Sequence, residues 1–573
     1  MARLLGIDTG GTYTDAVVYD DAAGAVLGKA KALTTPLDLA LGVGRAGAAA
    51  LADAGVDAGE ISLASLSTTL ATNALVEGHG DPTALVLIGF REIDLRRAGL
   101  ADALGDDPVI FAAGGHDSAG GEAAPVDLEA VRQAAGYKVS AFAVASVFGV
   151  RNPAHEIAAR EALSQATGLP VSCSHELSAK LGGPKRALTT LLNGRLLGMI
   201  RRLIDGAADR LTALGVDAPL MVVKGDGALM SSAVARERPI ETILSGPAAS
   251  VVGAGKLTGL DHAVISDIGG TTTDIAVLTD GRPEIDPDGA RVGGWSTMVE
   301  AVAMRTHGLG GDSHVRIEDS GLNPKLTLGP DRARPVCIFA SEGGDVSALA
   351  AQLEATRPGD LDGIFLTRGP RPAGADAREL SILDAVGESG VAAAELELGR
   401  RDLVVLDRMI AAGTLRRVAF TPTDAAHVLG LQADFDGDAA RMAAALFMRK
   451  RGGDGRAVAA SAEALSQRVI DTLKRRSAEL VLETAFEQDG LGAGLSTTPL
   501  VAAMLEGRGG LAGASLALSA PLVGLGASAA TYYPDVGALL RCDAVVPEHA
   551  EVANADGAVA GNVEASAEVA VQS

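Results

Sequence analysis

Short apolar runs alternate with polar, glycine-rich breaks along this 573-residue chain, and the alternation predicts strands and helices in α/β order. Leu4–Ile7 and Ala16–Tyr19 read as two strands joined by a polar turn, and Ala263–Ile265 and Ile275–Leu278 read as a second such pair. Ser140–Val150 and Leu220–Val223 have the continuous apolar character of buried strands. Between Asn193 and Leu214, the residues Leu196, Leu197, Ile200, Leu203 and Ile204 recur at helical spacing, so that stretch predicts a core-facing amphipathic helix. Ser245-Gly246-Pro247 opens a small-residue helix over Ala248–Lys256, with proline near the first turn. Leu516–Val523 reads as a strand leading into Gly524-Leu525-Gly526-Ala527, and Glu551–Gly561 as a late helix ahead of a frayed tail from Glu564. Arg449-Lys450-Arg451 reads as a solvated charged face.

Within this pattern one motif occurs twice. Asp8-Thr9-Gly10-Gly11-Thr12-Tyr13-Thr14-Asp15 matches Asp267-Ile268-Gly269-Gly270-Thr271-Thr272-Thr273-Asp274 at six of eight positions, each copy lying between apolar runs. Strand, Gly-Gly-Thr turn, strand is a hairpin, which excludes a Rossmann fingerprint or a Walker loop, since both need a helix to follow. Glycine leaves no Cβ to block a phosphate and lets successive N–H groups point at one spot. On this reading the amides of Gly10, Gly11, Gly269 and Gly270, with Thr12, Thr14, Thr271 and Thr272, are phosphate donors. Asp8 and Asp267 stand at strand ends, where a carboxylate holds a Mg²⁺-bound water; Asp15 or Asp267 is the alternative for orienting a nucleophile.

Composition narrows the classes. The formal net charge of −23 repels phosphate backbones and argues against nucleic acid as partner. Aromatics are 3%, too few for base-stacking platforms. Cys173, Cys337 and Cys542 share no C-x-x-C spacing, which argues against a zinc ribbon and suits a reducing cytoplasm. The first residues run straight into a strand, and no apolar run reaches the length of a membrane span, so a cytoplasmic protein without membrane association is expected.

The two turns resemble the phosphate motifs of the superfamily of sugar kinases, actin and Hsp70 chaperones. More narrowly, the chain resembles the hydantoinase A/oxoprolinase family and the related beta subunits of acetone carboxylases. That likeness rests on Ser67-Thr68-Thr69-Leu70-Ala71-Thr72-Asn73-Ala74-Leu75, Gly114-Gly115-His116-Asp117, Asn152-Pro153-Ala154-His155-Glu156, Lys224-Gly225-Asp226-Gly227, Leu244-Ser245-Gly246-Pro247 and Thr423-Asp424-Ala425. The resemblance implies two RNase H-like α/β domains around a nucleotide cleft, residues 1–260 and 261–548. Within them it implies an N-terminal region to about 185, a first connecting helix near 246–258 and an insertion near 332–407. A returning connecting helix and tail would occupy 549–573. By position, Gly524, Gly526 and Ala527 resemble the adenosine motif.

The function implied is ATP- and Mg²⁺-dependent phosphorylation of a cyclic amide carbonyl (hydantoin, lactam or 5-oxoproline) to open the ring, with Asp8 and Asp267 as metal-holding residues. Family members commonly carry a further C-terminal region that this sequence does not show, so a hydantoinase B-type partner subunit is expected, and an oligomer fits that picture. Two alternatives stand beside this: an ATPase that remodels or reactivates a partner protein, and a beta-type subunit of a ketone carboxylase. On the substrate side, His116 and Asp117 are the candidate catalytic pair, with acid–base, metal-ligand and loop-staple roles all open. Gly310-Gly311-Asp312-Ser313 beside His307 reads as a phosphate contact or a structural turn, and His155-Glu156 as a helix cap.

Overall fold

The computed structural model describes residues 2–11, 13–35, 38–318, 325–369, 375–396, 399–451, 457–508 and 514–561. Thr12 and the tail from Glu564 lie outside these residues. The chain divides into two compact units: Met1–Ile265 with Ala276–Met304 and Pro547–Ser573, and Ser266–Ile275 with Arg305–Val546.

Two larger sheets lie within the first unit. Strands β1 (Arg3–Thr9), β2 (Tyr13–Asp20) and β3 (Ala25–Leu33) form an antiparallel meander; β4 (Ile61–Thr68) then pairs parallel to β1. The second sheet is parallel and holds β5 (Thr83–Ile88), β6 (Val109–Ala112), β7 (Ala141–Ser146) and β8 (Val171–Cys173) in the order β6-β5-β7-β8. After it, β9 (Leu220–Val223) and β10 (Leu229–Ser231) return to the first sheet, whose full order is β10-β9-β4-β1-β2-β3. Three antiparallel strands followed by parallel β4 and β9 is the RNase H-like order. The long helix Gly183–Ala213 lies between the sheets, with Leu188, Leu192 and Ile200 in one core and Leu203, Ala207 and Leu211 in the other. It starts ten residues before Asn193, with Pro184 in its first turn, where a missing N–H costs no helical bond.

The helices Ser245–Thr258 and Ala553–Ala560 cross backbone to backbone. A Cβ at Gly253 would sit 2.2 Å from the Ala553 carbonyl oxygen, and one at Gly557 only 1.7 Å from that of Ala249. Lys256 on the first of these helices lies 3.7 Å over the Tyr19 ring. Asp556 on the second is fully buried, with no hydrogen-bond partner on either oxygen. Burial raises its carboxyl from 3.8 to about 6, with Lys256 pulling the other way. The folded protein therefore holds this proton more tightly than the unfolded chain. The resulting stability is complete below pH 4 and lost as pH rises through 6, by about 3 kcal/mol at most. Asp556→Asn should accordingly gain about 1–3 kcal/mol in denaturant unfolding at pH 7.5 and nothing near pH 4. An equal gain at both pH values would contradict this account.

Strands β11 (Ala263–Ile268) and β12 (Thr273–Thr279), whose Ser266–Ile268 and Thr273–Ile275 parts belong to the second unit, form a sheet with Leu522–Leu525 and Ala544–Val545 beyond β11. The strand read at Leu516–Val523 therefore begins six residues later, after Pro521, which has no N–H for a ladder bond. Four short strands, Arg334–Pro335, Phe365–Arg368, Val391–Ala392 and Leu415–Ala419, form a separate small sheet. Leu366, Leu383, Leu406 and Met409 fill its core. The Arg449 guanidinium bonds the carbonyls of Gln352, Leu353 and Ala355, closing a helix end rather than facing solvent as the sequence suggested.

Candidate functional site

Both repeated motifs fold as hairpins closed in the same way. Gly10 N–H donates to the Tyr13 carbonyl at 3.0 Å, and Gly269 N–H to that of Thr272 at 2.9 Å. None of Gly10, Gly11, Gly269 and Gly270 takes a left-handed φ, so unusual backbone conformation is not what these glycines supply. What they supply is the missing side chain: Gly11, Gly269 and Gly270 are exposed at the turn tips, with space beside Gly11 and Gly269 and the Asp312 carboxylate close against Gly270. Thr271 and Thr272 are half-buried beside them.

At the base of the first turn Asp8 is 5% exposed and faces Asp15 across the strand pair. One carboxylate oxygen accepts from Ser67 Oγ at 2.5 Å, the other from Asn554 Nδ2 at 3.3 Å. Burial raises the Asp8 carboxyl, and these two bonds offset the rise only in part. Asp15 pairs with Lys31 at 2.5 Å. Ser245 clips the site to its helix: its hydroxyl donates to the Thr68 carbonyl and accepts from the Thr68 amide. A Cβ on Gly246 would lie 3.5 Å from Asp8 Oδ1, which places the start of that 14-residue helix beside the carboxylate. Thr14 does not serve the turn as a donor in the way the sequence suggested. Its hydroxyl is buried against Thr34 and fills the space above Gly42, because strand alternation points it inward.

The second turn is braced from its own unit. Gly311 and Asp312 donate backbone N–H groups to the Gly269 and Gly270 carbonyls, at 3.2 and 2.6 Å. Thr423 holds Gly311 in turn, through both its amide and its hydroxyl. Asp424, fully buried, accepts from the amides of Val336, Cys337 and Thr421, fixing two helix starts together. The Asp312 carboxyl abuts Gly270 and is raised to about 6 by burial, with Arg332 opposing at 3.8 Å. Asp267 is half-buried, and Gly526 approaches so closely that a Cβ there would lie 3.3 Å from its Oδ1. Asp274 keeps one buried oxygen without a partner. Ala527 is exposed, whereas Gly524 sits inside the strand, flat against the Tyr533 ring, so its missing side chain serves packing rather than a nucleoside.

The His116–Asp117 loop stands elsewhere in the first unit, at the carboxyl ends of β5 and β7. His116 is 3% exposed, its amide bonds the Val147 carbonyl, and its ring lies 4.2 Å from that of His155 with Nδ1 unpartnered. Burial lowers its pKa, keeping the ring neutral. Asp117 is exposed and folds its own loop, accepting from the amides of Ala119 and Gly121. His155 and Glu156 do not cap the helix Ala154–Thr167, contrary to the sequence reading. His155 Nδ1 accepts from Gly115 N–H, and Nε2 meets Glu122 at 3.0 Å. Glu156 is fully buried and takes bonds from Ser146, Ser174 and His175. Burial pushes its carboxyl up, but the His175 and Ser174 bonds outweigh that and hold it low. Glu156, Cys173 and His175 present three ligand atoms within 4.8 Å of one another. The carboxylate is already spent on internal donors, and burial pushes the thiol far up, so the cluster reads as a buried brace with Arg186 bonding Ser174 and Ser146 beside it.

The donors at each turn, taken by itself, suit a hydrated Mg²⁺ or phosphate oxygens. They are all oxygen or backbone amide, Asp8 is bonded only by neutral donors, and the tips carry no Cβ. The sequence reading missed Ser67, Ser245 and Asn554 as parts of this site. Ser67 and Ser245 lie within the motif stretches Ser67–Leu75 and Leu244–Pro247, whereas Asn554 carries no local signal.

The hydantoinase/oxoprolinase N-terminal region model matches residues 4–167, and the hydantoinase/oxoprolinase model matches residues 186–517. Caprolactamase subunit alpha of Pseudomonas jessenii is 32% identical over 370 residues, 58% of this chain and 51% of that protein. The acetone carboxylase beta subunit of Xanthobacter autotrophicus is 29% identical, over 58% of this chain and 50% of its own. The chain thus spans about half the length of the curated relatives it matches. Among solved structures, nucleotide-free acetone carboxylase aligns with a TM-score of 0.63 at 20% identity, covering 98% of this chain and 70% of that one. The ATP-dependent caprolactamase of P. jessenii aligns at 0.63 and 22%, covering 98% and 71%. These likenesses show the fold. No described helix is long and apolar enough to cross a membrane.

Proposed function

This chain belongs to the hydantoinase/oxoprolinase family, and on that premise we propose that it is the ATP-using subunit of an enzyme that activates a cyclic amide carbonyl for ring opening. The observation that carries the reading is the pair of hairpin turns closed by the same Gly N–H to carbonyl bond, each with an aspartate at its strand base. The named relatives support it: one is a caprolactamase subunit, and its structural counterpart is described as ATP-dependent.

An amide carbonyl is a poor electrophile. Its oxygen attacks the γ-phosphorus, the bond to the β-bridging oxygen breaks, and ADP departs. Water then adds to the activated carbon, the ring C–N bond breaks with a proton passing to nitrogen, and a second water releases phosphate. Bound Mg²⁺ supplies charge neutralisation on the phosphates. The protein's part is placement: Asp8 and Asp267 would hold the hydrated metal, and the Gly10, Gly11, Gly269 and Gly270 amides with Thr12, Thr271 and Thr272 would donate to phosphate oxygens. Gly526 lets backbone lie close beside Asp267, with Ala527 next to it. Neutral His116, next to Asp117, is the candidate acid–base group toward the substrate.

A B-type partner subunit completes the ring-opening activity in this proposal, since the relatives are themselves named as subunits. The test is ADP release and product formation with hydantoin, 5-oxoproline and caprolactam, by the chain alone and with its partner. Ring opening only with the partner is expected. Stoichiometric ring opening by the chain alone would overturn the division of labour. Turnover only with a ketone and bicarbonate would move the chain to the carboxylase branch, the second reading that two relatives favour.

A further inference from the structure

Asp8 lies near the beginning of the chain and Asn554 near its end, yet they meet within the first unit. Asn554 stands in the first turn of the helix Ala553–Ala560 and makes no capping bond there. Asparagine is a poor helix former because its side chain competes for local backbone groups. Here the side chain is fully engaged elsewhere: Nδ2 donates to Asp8 Oδ2 at 3.3 Å, and Oδ1 accepts from Ser250 Oγ at 2.5 Å. The carboxylate fixes the amide orientation, since a flipped amide would set oxygen against oxygen. Ser250 belongs to the helix Ser245–Thr258, so one bonded path runs from that helix through Asn554 to the carboxylate.

An aspartate carboxyl rotates easily about its last torsion. Ser67 grips one oxygen alone and leaves that rotation open; Asn554 grips the other and closes it. Both donors are neutral, so neither neutralises the negative charge that a cation would meet. A lysine in either place would cancel it. The same two helices cross at the contacts of Gly253 and Gly557, which leave almost no slack between Ser250 and Asn554.

We propose that Asn554 is a positioning residue, which locks the Asp8 carboxylate in the orientation used at the nucleotide site and ties it through Ser250 to the helix crossing. This rests on the reading of Asp8 as a metal-holding group. The experiment measures ADP release by the full chain as Mg²⁺ is varied at saturating ATP, and beside it Mg²⁺-dependent ATP binding by isothermal titration, whose Mg²⁺ half-saturation should move with that of the rate. Asn554→Ala should raise the Mg²⁺ concentration for half-maximal rate about tenfold, with the rate at excess Mg²⁺ returning to within about twofold of wild type. Ser250→Ala should raise it about threefold, less than Asn554→Ala, because it loosens the Asn554 amide without removing the bond to Asp8. A merely structural role would lower the rate at every Mg²⁺ concentration and would not be rescued by excess metal.

Asp8→Asn separates the two claims. If it leaves turnover intact, the reading of Asp8 itself fails. If it abolishes turnover while Asn554→Ala keeps the wild-type Mg²⁺ half-saturation, the positioning proposal is overturned and the reading of Asp8 stands. Should Asn554→Ala fail to fold, Ser250→Ala carries the same test, and an unchanged half-saturation there overturns the proposal.

Discussion

Replacing Asp8 with alanine should lower Mg-ATP turnover about 100-fold or more while the chain stays folded. Asp8 is held by Ser67 and Asn554, so its carboxylate is oriented before any ligand arrives. A group of this kind, acting where charge develops in phosphoryl transfer, is worth about 3 kcal/mol or more, which is about 100-fold in rate. The stability effect is smaller and of mixed sign. Removing a buried carboxylate relieves its desolvation, whereas the donors it leaves behind lose a partner, at about 1–2 kcal/mol. Asp267→Ala should behave likewise in the second unit, where Gly526 approaches its side chain. Coupled ADP release with circular dichroism on the same samples checks both variants. Turnover within twofold of wild type in a folded variant would remove that residue from the metal-holding role.

Gly557→Val should leave little folded protein. A Cβ at this position would lie 1.7 Å from the Ala249 carbonyl oxygen and 2.8 Å from the Gly253 amide, both backbone atoms of the crossing helix. Backbone cannot swing aside as a flexible side chain does, so the helices must separate. The helix Ala553–Ala560 is also pressed onto β1, where a Cβ on Gly6 would meet the Ala555 oxygen at 2.0 Å. Separation therefore unseats the strand that carries Asp8. Overpacking in a core typically costs about 1–3 kcal/mol. A clash with backbone at this distance belongs in the tail above about 4 kcal/mol. Gly437, the first residue of the helix Gly437–Met448 with open space around it, is the control: Gly437→Ala should be neutral or slightly stabilising. Thermal unfolding of Gly557→Ala, Gly557→Val and Gly437→Ala in parallel reads the difference. A Gly557→Val protein melting with wild type would show that the crossing is loose.

What could be read from the sequence was local. The repeated turn announces itself through six shared residues between apolar runs, and strand periodicity then supplies the hairpin on either side. The helix around Leu196–Ile204 follows from its spacing for the same reason. What escaped depends on distant parts of the chain. Asn554 is one polar residue in a small-residue helix, and only the fold brings it to Asp8. Glu156 has the look of a first-turn cap, but β7 and the segment after β8 supply stronger donors and draw it inward. Gly524 was read from composition as an open approach to a ligand; the Tyr533 ring occupies that space instead. Thr14 was counted with the donors because its neighbours are, although the period of two in a strand turns it to the opposite face. Asp312 lay between two readings, and its amide bond to the Gly270 carbonyl ties it to the second turn.

The central claim is that this chain by itself holds Mg-ATP at the repeated turns. Isothermal titration of ATP into the purified chain, with Mg²⁺ present and again with EDTA, tests it most directly. The account predicts one ATP bound per chain, with binding weakened at least tenfold by EDTA and by Asp8→Asn. Absence of any binding at millimolar Mg-ATP, or binding indifferent to both EDTA and Asp8→Asn, would contradict it.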